Sequence, residues 1–369
     1  MVDPTRNALI AIVGGIFLFA VILVPVLIIQ SRRYGRLSAA RLLGAAALSV
    51  YGVALVAYTL FPIPADTAKV CEAPLQLIPF HFVADVARET AGLPPVQVLT
   101  STAVLQFVFN IALFVPLGII VRRYFSRGVL VAVLTGLGLS LLIEATQYTG
   151  IWVIYHCAFR LADVDDLIAN TAGALVGALI APLVLWWMPG EAELRPRRLE
   201  PRPVTRRRRW LGMVVDWALV SLIGAVIGVP VLGVPRIYGS EIATWVDPLV
   251  TVLVPGLIVF VVPALRGSGA TLGQRAVWLR PNWGPRLPTV GRRLARVSVG
   301  LLWVALFTLG SIPPFESVGI LAGLVAVAEV IAVGTTRGRG IGPALAATTF
   351  DDARASSAGM GTEPTAPGR

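Results

Sequence analysis

Long apolar runs separated by short polar segments set the pattern of this chain. The apolar residues are continuous within each run, which predicts α-helices, and each run is close to the roughly 20 residues that a helix needs to cross a bilayer. The runs lie near residues 8–30, 41–60, 103–121, 128–147, 166–188, 211–233, 247–264, 297–312 and 317–334. We therefore predict an all-α, polytopic helical membrane protein with about nine transmembrane helices.

Composition supports this fold class. The 369 residues are 56% hydrophobic and only 14% charged, and the mean hydropathy is +0.79. A soluble domain carries about 25% charged residues. The first run is too long for the apolar core of a signal peptide and has no small-residue cleavage site, so we expect it to be a span.

Basic residues indicate the orientation. The net charge is +11, and all but five of the 31 Lys and Arg residues fall in segments on one side of the predicted membrane. Such residues are retained on the cytoplasmic side and contact anionic lipids of the inner leaflet, so the surplus does not indicate nucleic acid. We expect the N-terminus outside, the C-terminus in the cytoplasm, and a bacterial plasma membrane as the location.

A Pro- and Arg-rich segment divides the predicted spans into five and four. We predict a first membrane domain at 1–188, a cytoplasmic linker at 189–209, a second membrane domain at 210–350 and a disordered tail at 351–369. The tail is rich in Ala, Ser, Gly and Pro, a composition that does not bury enough apolar surface to fold.

The chain has two cysteines, Cys71 and Cys157. Under the predicted orientation, both lie in exterior loops, one after the second span and one after the fourth. The exterior is oxidising, so we expect a disulfide between them. Two separate thiols are the alternative.

Polar residues occur at similar depths in three spans of the first domain. Charged residues within a span are costly and mark either a function or tight internal pairing. We predict a ligand-binding cluster about 6–10 Å below the outer surface, given a rise of ~1.5 Å per residue. Its members are Asn110, Glu144, Gln147, Arg160, Asp163, Asp165, Asp166 and Asn170. An amine, a sugar, a lipid headgroup or a cation would suit this cluster, and hydrogen bonding between helices is the alternative.

These residues also carry a resemblance to a known family. The relevant elements are Ile78-Pro79-Phe80, the run from Phe109 to Gly118, Glu144 with Gln147, and the segment from Arg160 through Asp166 and Asn170 to Gly173 and Gly177. Over roughly residues 40–185 the chain resembles the VanZ-like family. The resemblance implies a membrane protein associated with low-level resistance to the glycopeptide teicoplanin.

The second domain carries Arg and Asp residues near its predicted cytoplasmic face. Asp216 and Glu329 lie at similar depths, where a carboxylate pair is suited to carrying protons or cations. The alternative is that Asp216 pairs with Arg209, Arg275 or Arg296 and fixes helix packing.

This half resembles the RDD family, some of whose members are linked to cation/proton antiport. The matching residues are Arg209, Asp216 and the turn Thr271-Leu272-Gly273-Gln274-Arg275. The family's closing His-Asp pair is replaced here by Gly342-Pro343.

Two functions remain open from the sequence. One is a cell-envelope protein that recognises a glycopeptide, a cell-wall precursor or a lipid headgroup through the outer cluster. The alternative is an ion-coupled or small-molecule transporter that uses the RDD-like half, although we find no internal repeat. The sequence contains no nucleophile motif, no phosphate-binding glycine loop and no His/Glu metal spacing, so we expect no enzyme, cofactor or resident metal.

Overall fold

The computed structural model describes residues 4–61, 75–152, 161–239, 241–285, 288–336 and 338–355. Nine helices in these ranges are long and apolar enough to cross a membrane. The predicted helical membrane fold is therefore confirmed for the described residues. The two cysteines, Arg160 and His156 lie outside them.

The elements follow one another in two groups. The first group contains α1 (Pro4–Tyr34), α2 (Ala39–Leu60), β1 (Leu75–Gln76), α3 (His81–Glu89), α4 (Pro95–Val98), α5 (Thr102–Ile119), α6 (Val129–Tyr148), β2 (Ala162–Asp163), α7 (Val164–Val184) and α8 (Glu191–Leu194). The second group contains α9 (Arg206–Gly228), α10 (Val234–Ile237), α11 (Val246–Pro248), α12 (Val254–Gly256), α13 (Val262–Leu265), α14 (Leu272–Ala276), β3 (Leu279–Asn282), α15 (Val290–Gly310), α16 (Val318–Thr335), α17 (Ile341–Leu345) and β4 (Thr349–Asp352).

Short irregular turns extend several of these helices. Residues Pro196–Leu199 form a 3-10 turn, and π-helical turns occur at Ile120–Tyr124, Val229–Gly233, Leu249–Leu253 and Leu257–Val261. The π turns continue their helices, so that Thr102–Tyr124, Arg206–Ile237 and Val246–Leu265 each form one candidate span.

The chain forms two compact units. The first unit comprises the described residues of Met1–Leu23 and Leu37–Leu194. The second comprises Val24–Arg36 and the described residues of Arg195–Arg369. The division at Leu194 falls within the segment predicted as a linker, and the end of α1 is grouped with the second unit.

Close packing of α5 against α7 organises the first unit. A Cβ added at Gly173 would collide with the carbonyl oxygen of Ile111, and one added at Gly177 would collide with that of Val115. Small residues let helix backbones approach in a membrane, where van der Waals contact replaces the hydrophobic effect as the main attraction. The fully buried ring of Phe114 lies in the core beside these contacts.

In the second unit, α14 rests directly on α9. A Cβ at Gly273 would collide with the carbonyl oxygen of Gly212, so glycine at this position permits the approach. The helix α14 begins with a capping box, in which Thr271 and Gln274 each accept a hydrogen bond from the other's backbone N–H. The sheet β3–β4 is antiparallel and pairs Leu279 with Asp352.

Two boundaries in the structure differ from the predicted ones. The tail is ordered at its start, because β4 includes Asp351 and Asp352, and the side chain of Arg354 is buried. The rest of the predicted tail lies outside the described residues. The predicted linker extends past the start of α9, which begins at Arg206 with Thr205 as its N-cap.

Candidate functional site

A polar cavity of about 520 Å³ lies in the first unit. Five of the eight residues predicted as a ligand-binding cluster line it together: Asn110, Glu144, Gln147, Asp166 and Asn170. They come from α5, α6 and α7. Their spacing along each helix places them on the face that packs against the neighbouring helices. The volume falls within the range of about 300–1,000 Å³ that is usual for small-molecule sites.

Hydrogen bonds between helices hold several of these side chains. The Asn110 amide donates to Asp166 Oδ1 at 2.5 Å, and the Asn170 amide donates to Ser140 Oγ at 2.9 Å. The Gln147 amide donates to the carbonyl oxygen of Thr59 at 2.7 Å. The cluster therefore does connect helices, as the alternative reading of the sequence expected, and it also surrounds a cavity.

The cavity is rich in hydrogen-bond acceptors. Glu144 and Asp166 supply carboxylates, and both side chains line the open volume. The side chain of Asn170 is only 5% exposed, and its Oδ1 has no hydrogen-bond partner among the described residues. A buried acceptor without a donor costs free energy, so the arrangement favours a ligand that carries N–H or O–H groups.

Some lining residues carried no signal in the sequence. Tyr58 and Thr59 at the end of α2 belong to no motif, yet both line the cavity. Gln106 also lines it, and its position four residues before Asn110 on α5 was the one signal available for finding it.

Two predicted members, Asp163 and Asp165, do not line this cavity. Asp165 is buried and accepts hydrogen bonds from the backbone N–H groups of Phe80 and Phe82, at 2.6 and 2.8 Å. These two groups lie at the start of α3, where amides lack helical partners. The carboxylate of Asp165 therefore caps the start of α3 and does not line this cavity.

Asp163 is the N-cap of α7. Its Oδ1 accepts from the backbone N–H of Asp165 at 2.8 Å, and its own N–H donates to Glu144 Oε2 at 3.2 Å. Burial raises the pKa of Asp163, while the hydrogen bond from the Asp165 backbone opposes that shift. The side chain of Asp163 thus caps the start of α7 and does not line the cavity.

His81, the histidine within the described residues, does not line the cavity either. His81 begins α3, and its Nδ1 lies 3.2 Å from a carboxylate oxygen of Asp85. In the described ranges, no three His, Cys, Asp or Glu side chains are arranged to hold a metal ion.

In the second unit, Asp216 anchors the turn before α14. Its two oxygens accept hydrogen bonds at 2.6 Å from the Thr271 hydroxyl and from the Gly273 N–H. Arg275 points elsewhere, with Nε donating to the carbonyl oxygen of Ala270 at 3.0 Å. The expected ion pair between Asp216 and an arginine is therefore replaced, within the described part of the chain, by bonds to this turn.

Arg209 contacts the chain after α16. Its Nε donates to the carbonyl oxygen of Gly338 at 3.0 Å, and its Nη2 donates to that of Arg339 at 3.3 Å. The predicted signature residues Arg209, Asp216, Gly273 and Gln274 are thus brought together around α9 and α14, and all four are buried. Arg275 makes its hydrogen bonds away from Asp216, as Arg209 does.

The fold and the first cavity define a multi-pass helical membrane protein with a polar site among its spans. Residues 48–185 match the model of the VanZ/LLP1 family, and this range contains all five of the predicted residues that line the cavity. The match covers less than half of the chain. No curated protein and no solved structure matches it.

Proposed function

We propose that this chain is a cell-envelope protein of the VanZ type whose first-unit cavity recognises a donor-rich ligand. The ligand would be the amine- or hydroxyl-bearing part of a glycopeptide, a cell-wall precursor or a lipid headgroup. One observation carries the proposal. Polar side chains from α2, α5, α6 and α7 line a single cavity, and the buried Oδ1 of Asn170, one of the lining residues, has no partner among the described residues. No covalent step is needed.

The electrostatics of the cavity support a cationic ligand. Two carboxylates line a site inside the membrane-spanning part of the unit, where low dielectric strengthens their attraction for a positive group. One oxygen of Asp166 accepts from Asn110, which orients the carboxylate. An ammonium group with neighbouring hydroxyls complements the carboxylates and supplies a donor for Asn170 Oδ1.

The distribution of basic residues supports an outward-facing site. With the Arg-rich segments in the cytoplasm, the Asp166 end of α7 and the Gln147 end of α6 lie toward the exterior. A ligand from the cell wall or the outer leaflet then reaches the cavity without crossing the membrane.

Antibiotic susceptibility tests this function. The wild-type chain, expressed in a teicoplanin-susceptible Gram-positive host, should raise the minimal inhibitory concentration of teicoplanin. Glu144→Gln and Asp166→Asn should return it to the level of the empty vector. Asp85→Asn is the matched control, because Asp85 lies outside the cavity and its exposed pairs with His81 and Arg88 contribute little.

Two results would count against the proposal. A wild-type chain that leaves susceptibility unchanged contradicts the resistance role. Cavity variants that protect as well as wild type, at equal amounts in the membrane fraction, contradict the involvement of the cavity.

We propose further that residues 210–350 form an RDD-type membrane domain. The bonds that Asp216 accepts from Thr271 and Gly273 support this, because they join two separate parts of the family's signature. Pro343 stands where the family usually has Asp, so we do not extend cation/proton antiport to this chain.

A further inference from the structure

A second cavity, of about 240 Å³, lies wholly within the second unit. Its polar lining consists of Arg209, Asp216, Gln274, Arg296 and Glu329, together with the hydroxyl of Thr271. The remaining walls are apolar and come mainly from α9, α15 and α16. Its function is independent of the ligand proposed for the first unit.

The two arginines of this cavity are almost completely buried. Arg209 is 2% exposed and Arg296 is 3% exposed. Arg209 is anchored by the two carbonyl groups after α16, and Arg296 is anchored by Gln274 Oε1 at 2.7 Å and by the carbonyl oxygen of Gly269. These bonds fix both guanidinium groups and restrict how far either can turn toward a new partner.

Each guanidinium retains a buried N–H without an acceptor. Within the described residues, Arg209 Nη1 and Arg296 Nε make no hydrogen bond. A buried charged donor that lacks an acceptor carries a large desolvation cost. Both arginines line the same cavity. The desolvation cost falls when an oxygen-bearing anion occupies this cavity and accepts from them.

The neighbouring carboxylates are committed elsewhere. Asp216 uses both oxygens on Thr271 and Gly273. Glu329 Oε2 accepts from the backbone N–H of Ile341 at 2.8 Å, which ties it to the start of α17. Neither carboxylate accepts a hydrogen bond from Arg209 Nη1 or Arg296 Nε in the described residues, so a bound oxyanion can supply those acceptors.

The position and walls of the cavity suit an oxyanion with an apolar body. Arg209 is the fourth residue of α9 and Arg296 is the seventh of α15, so they lie within roughly 10 Å of the helix ends that the Arg-rich segments border. Trp217, which lines the cavity, is 56% exposed in a span and so faces the bilayer. A charged group thus meets buried arginines while its apolar part meets lipid-facing side chains.

We infer that the second-unit cavity binds an oxyanion, specifically a phosphate group, through Arg209 and Arg296. Arginine suits this role because its planar N–H groups match the oxygens of phosphate. The phosphate can belong to a lipid headgroup or be free in solution, and the two sources are separated by experiment.

Binding to the purified full chain in a neutral detergent tests the inference. The probes are dihexanoyl phosphatidylglycerol, dihexanoylglycerol with the same chains but no phosphate, and inorganic phosphate. Wild type should bind a phosphate-bearing probe and should not bind dihexanoylglycerol comparably. Binding of the phospholipid alone assigns the site to a headgroup, and equal binding of inorganic phosphate assigns it to a free anion.

A matched pair of variants locates the site. Ala326→Phe fills the cavity from α16 without touching either arginine's bonds, and Ala328→Phe makes the same change on the exposed face of the same helix. The first should weaken phosphate binding at least about tenfold, which corresponds to losing a charge-assisted hydrogen bond, and the second should not.

A third variant is expected to strengthen phosphate binding instead of weakening it. Glu329→Gln removes a negative charge from the lining and keeps an acceptor for the Ile341 N–H, so it should tighten phosphate binding. A misfolded protein cannot produce that gain. The inference is overturned if wild type does not distinguish phospholipid and phosphate from dihexanoylglycerol, or if Ala326→Phe and Ala328→Phe bind alike.

Discussion

The two units of this protein each enclose a cavity. One cavity has a buried acceptor that lacks a donor, and the other has buried donors that lack acceptors. Among the described residues that line the first cavity, the buried side-chain atom without a hydrogen-bond partner is an acceptor, Asn170 Oδ1. Among those that line the second cavity, the corresponding atoms are donors, Arg209 Nη1 and Arg296 Nε. Both cavities contain two carboxylates, so counting acidic residues does not separate them. What separates them is which groups the surrounding helices already satisfy.

This difference separates two roles of polar residues in membrane helices. A carboxylate whose oxygens are used by backbone or hydroxyl donors, as at Asp216, is part of the scaffold. A carboxylate beside an unsatisfied acceptor, as at Asp166, contributes to a site that calls for a cation or a donor.

Removing the Asp216 carboxylate should strongly destabilise the second unit. Asp216→Ala deprives the Thr271 hydroxyl and the Gly273 N–H of their acceptor and removes one of the two carboxylates that line the cavity with Arg209 and Arg296, which costs about 3–5 kcal/mol. Asp247→Ala is the control, because Asp247 pairs with Arg236 in an exposed ion pair worth about 0–1 kcal/mol. Thermal unfolding in detergent compares the two, and equal losses would show that Asp216 is not part of the scaffold.

A single methyl group should disturb the helix packing that forms the first cavity. Gly177→Ala forces α7 away from the carbonyl oxygen of Val115, at a cost of about 1–3 kcal/mol. Gly138→Ala adds the same methyl group on α6 where nothing lies within 4 Å, and it should be neutral or slightly stabilising. Unfolding temperatures of the two variants provide the measurement, and a Gly177→Ala protein as stable as wild type would contradict the packing.

A cluster at the end of the second unit contains a buried arginine, Arg354, that hydrogen-bonds through each of its guanidinium nitrogens. Arg354 donates to both oxygens of Asp352 and to the carbonyl oxygens of Gly35 and Arg198. Burial alone would raise the pKa of Asp352, but hydrogen bonds from Arg354 and the Arg202 backbone, with the charge of Arg208, lower it to about 2.

This cluster should make stability depend on acid pH. The pKa of Asp352 is lower in the folded chain than the ~3.9 of an unfolded Asp, so its contribution is complete above pH ~4 and is lost as pH falls toward 2. The loss is on the order of 2 kcal/mol. Asp352→Asn should remove this dependence in denaturation measured between pH 5 and 2, whereas Asp351→Asn should retain it.

The smallest effect on stability is expected at the site itself. Asn170→Ala loses one hydrogen bond to Ser140 and also removes the unsatisfied carbonyl, so the ligand-free protein should change by no more than about 1 kcal/mol. The same variant should lose teicoplanin protection. A large loss of stability would instead place Asn170 in the scaffold, together with Asp216.

Much of the fold could be predicted from the sequence because apolar length and helical periodicity are local. The nine spans follow from uninterrupted apolar runs, and Asn110, Glu144 and Asp166 stand out because polar residues are rare within such runs. Depth counted from the helix ends then brings them together.

The remaining features depend on contacts that are distant in sequence. Asp165 and Asp166 are neighbours with the same chemistry, and only the position of the α3 amides assigns one to capping and the other to the cavity. The pairing of β4 with β3 joins residues about 70 positions apart, so the start of the tail looked disordered by composition. The donors of Arg209 and Arg296 that lack acceptors can likewise be identified only when the positions of the neighbouring carbonyl groups are known.

The opposite preferences of the two cavities can be tested by one calorimetric titration series on the full chain. Glucosamine supplies an ammonium with hydroxyls for the first cavity, and dihexanoyl phosphatidylglycerol supplies a phosphate for the second. Asp166→Asn should weaken glucosamine binding alone, and Ala326→Phe should weaken phospholipid binding alone. If either variant weakens both ligands equally, or if the two variants exchange their effects, the assignment of opposite partners to the two cavities is contradicted.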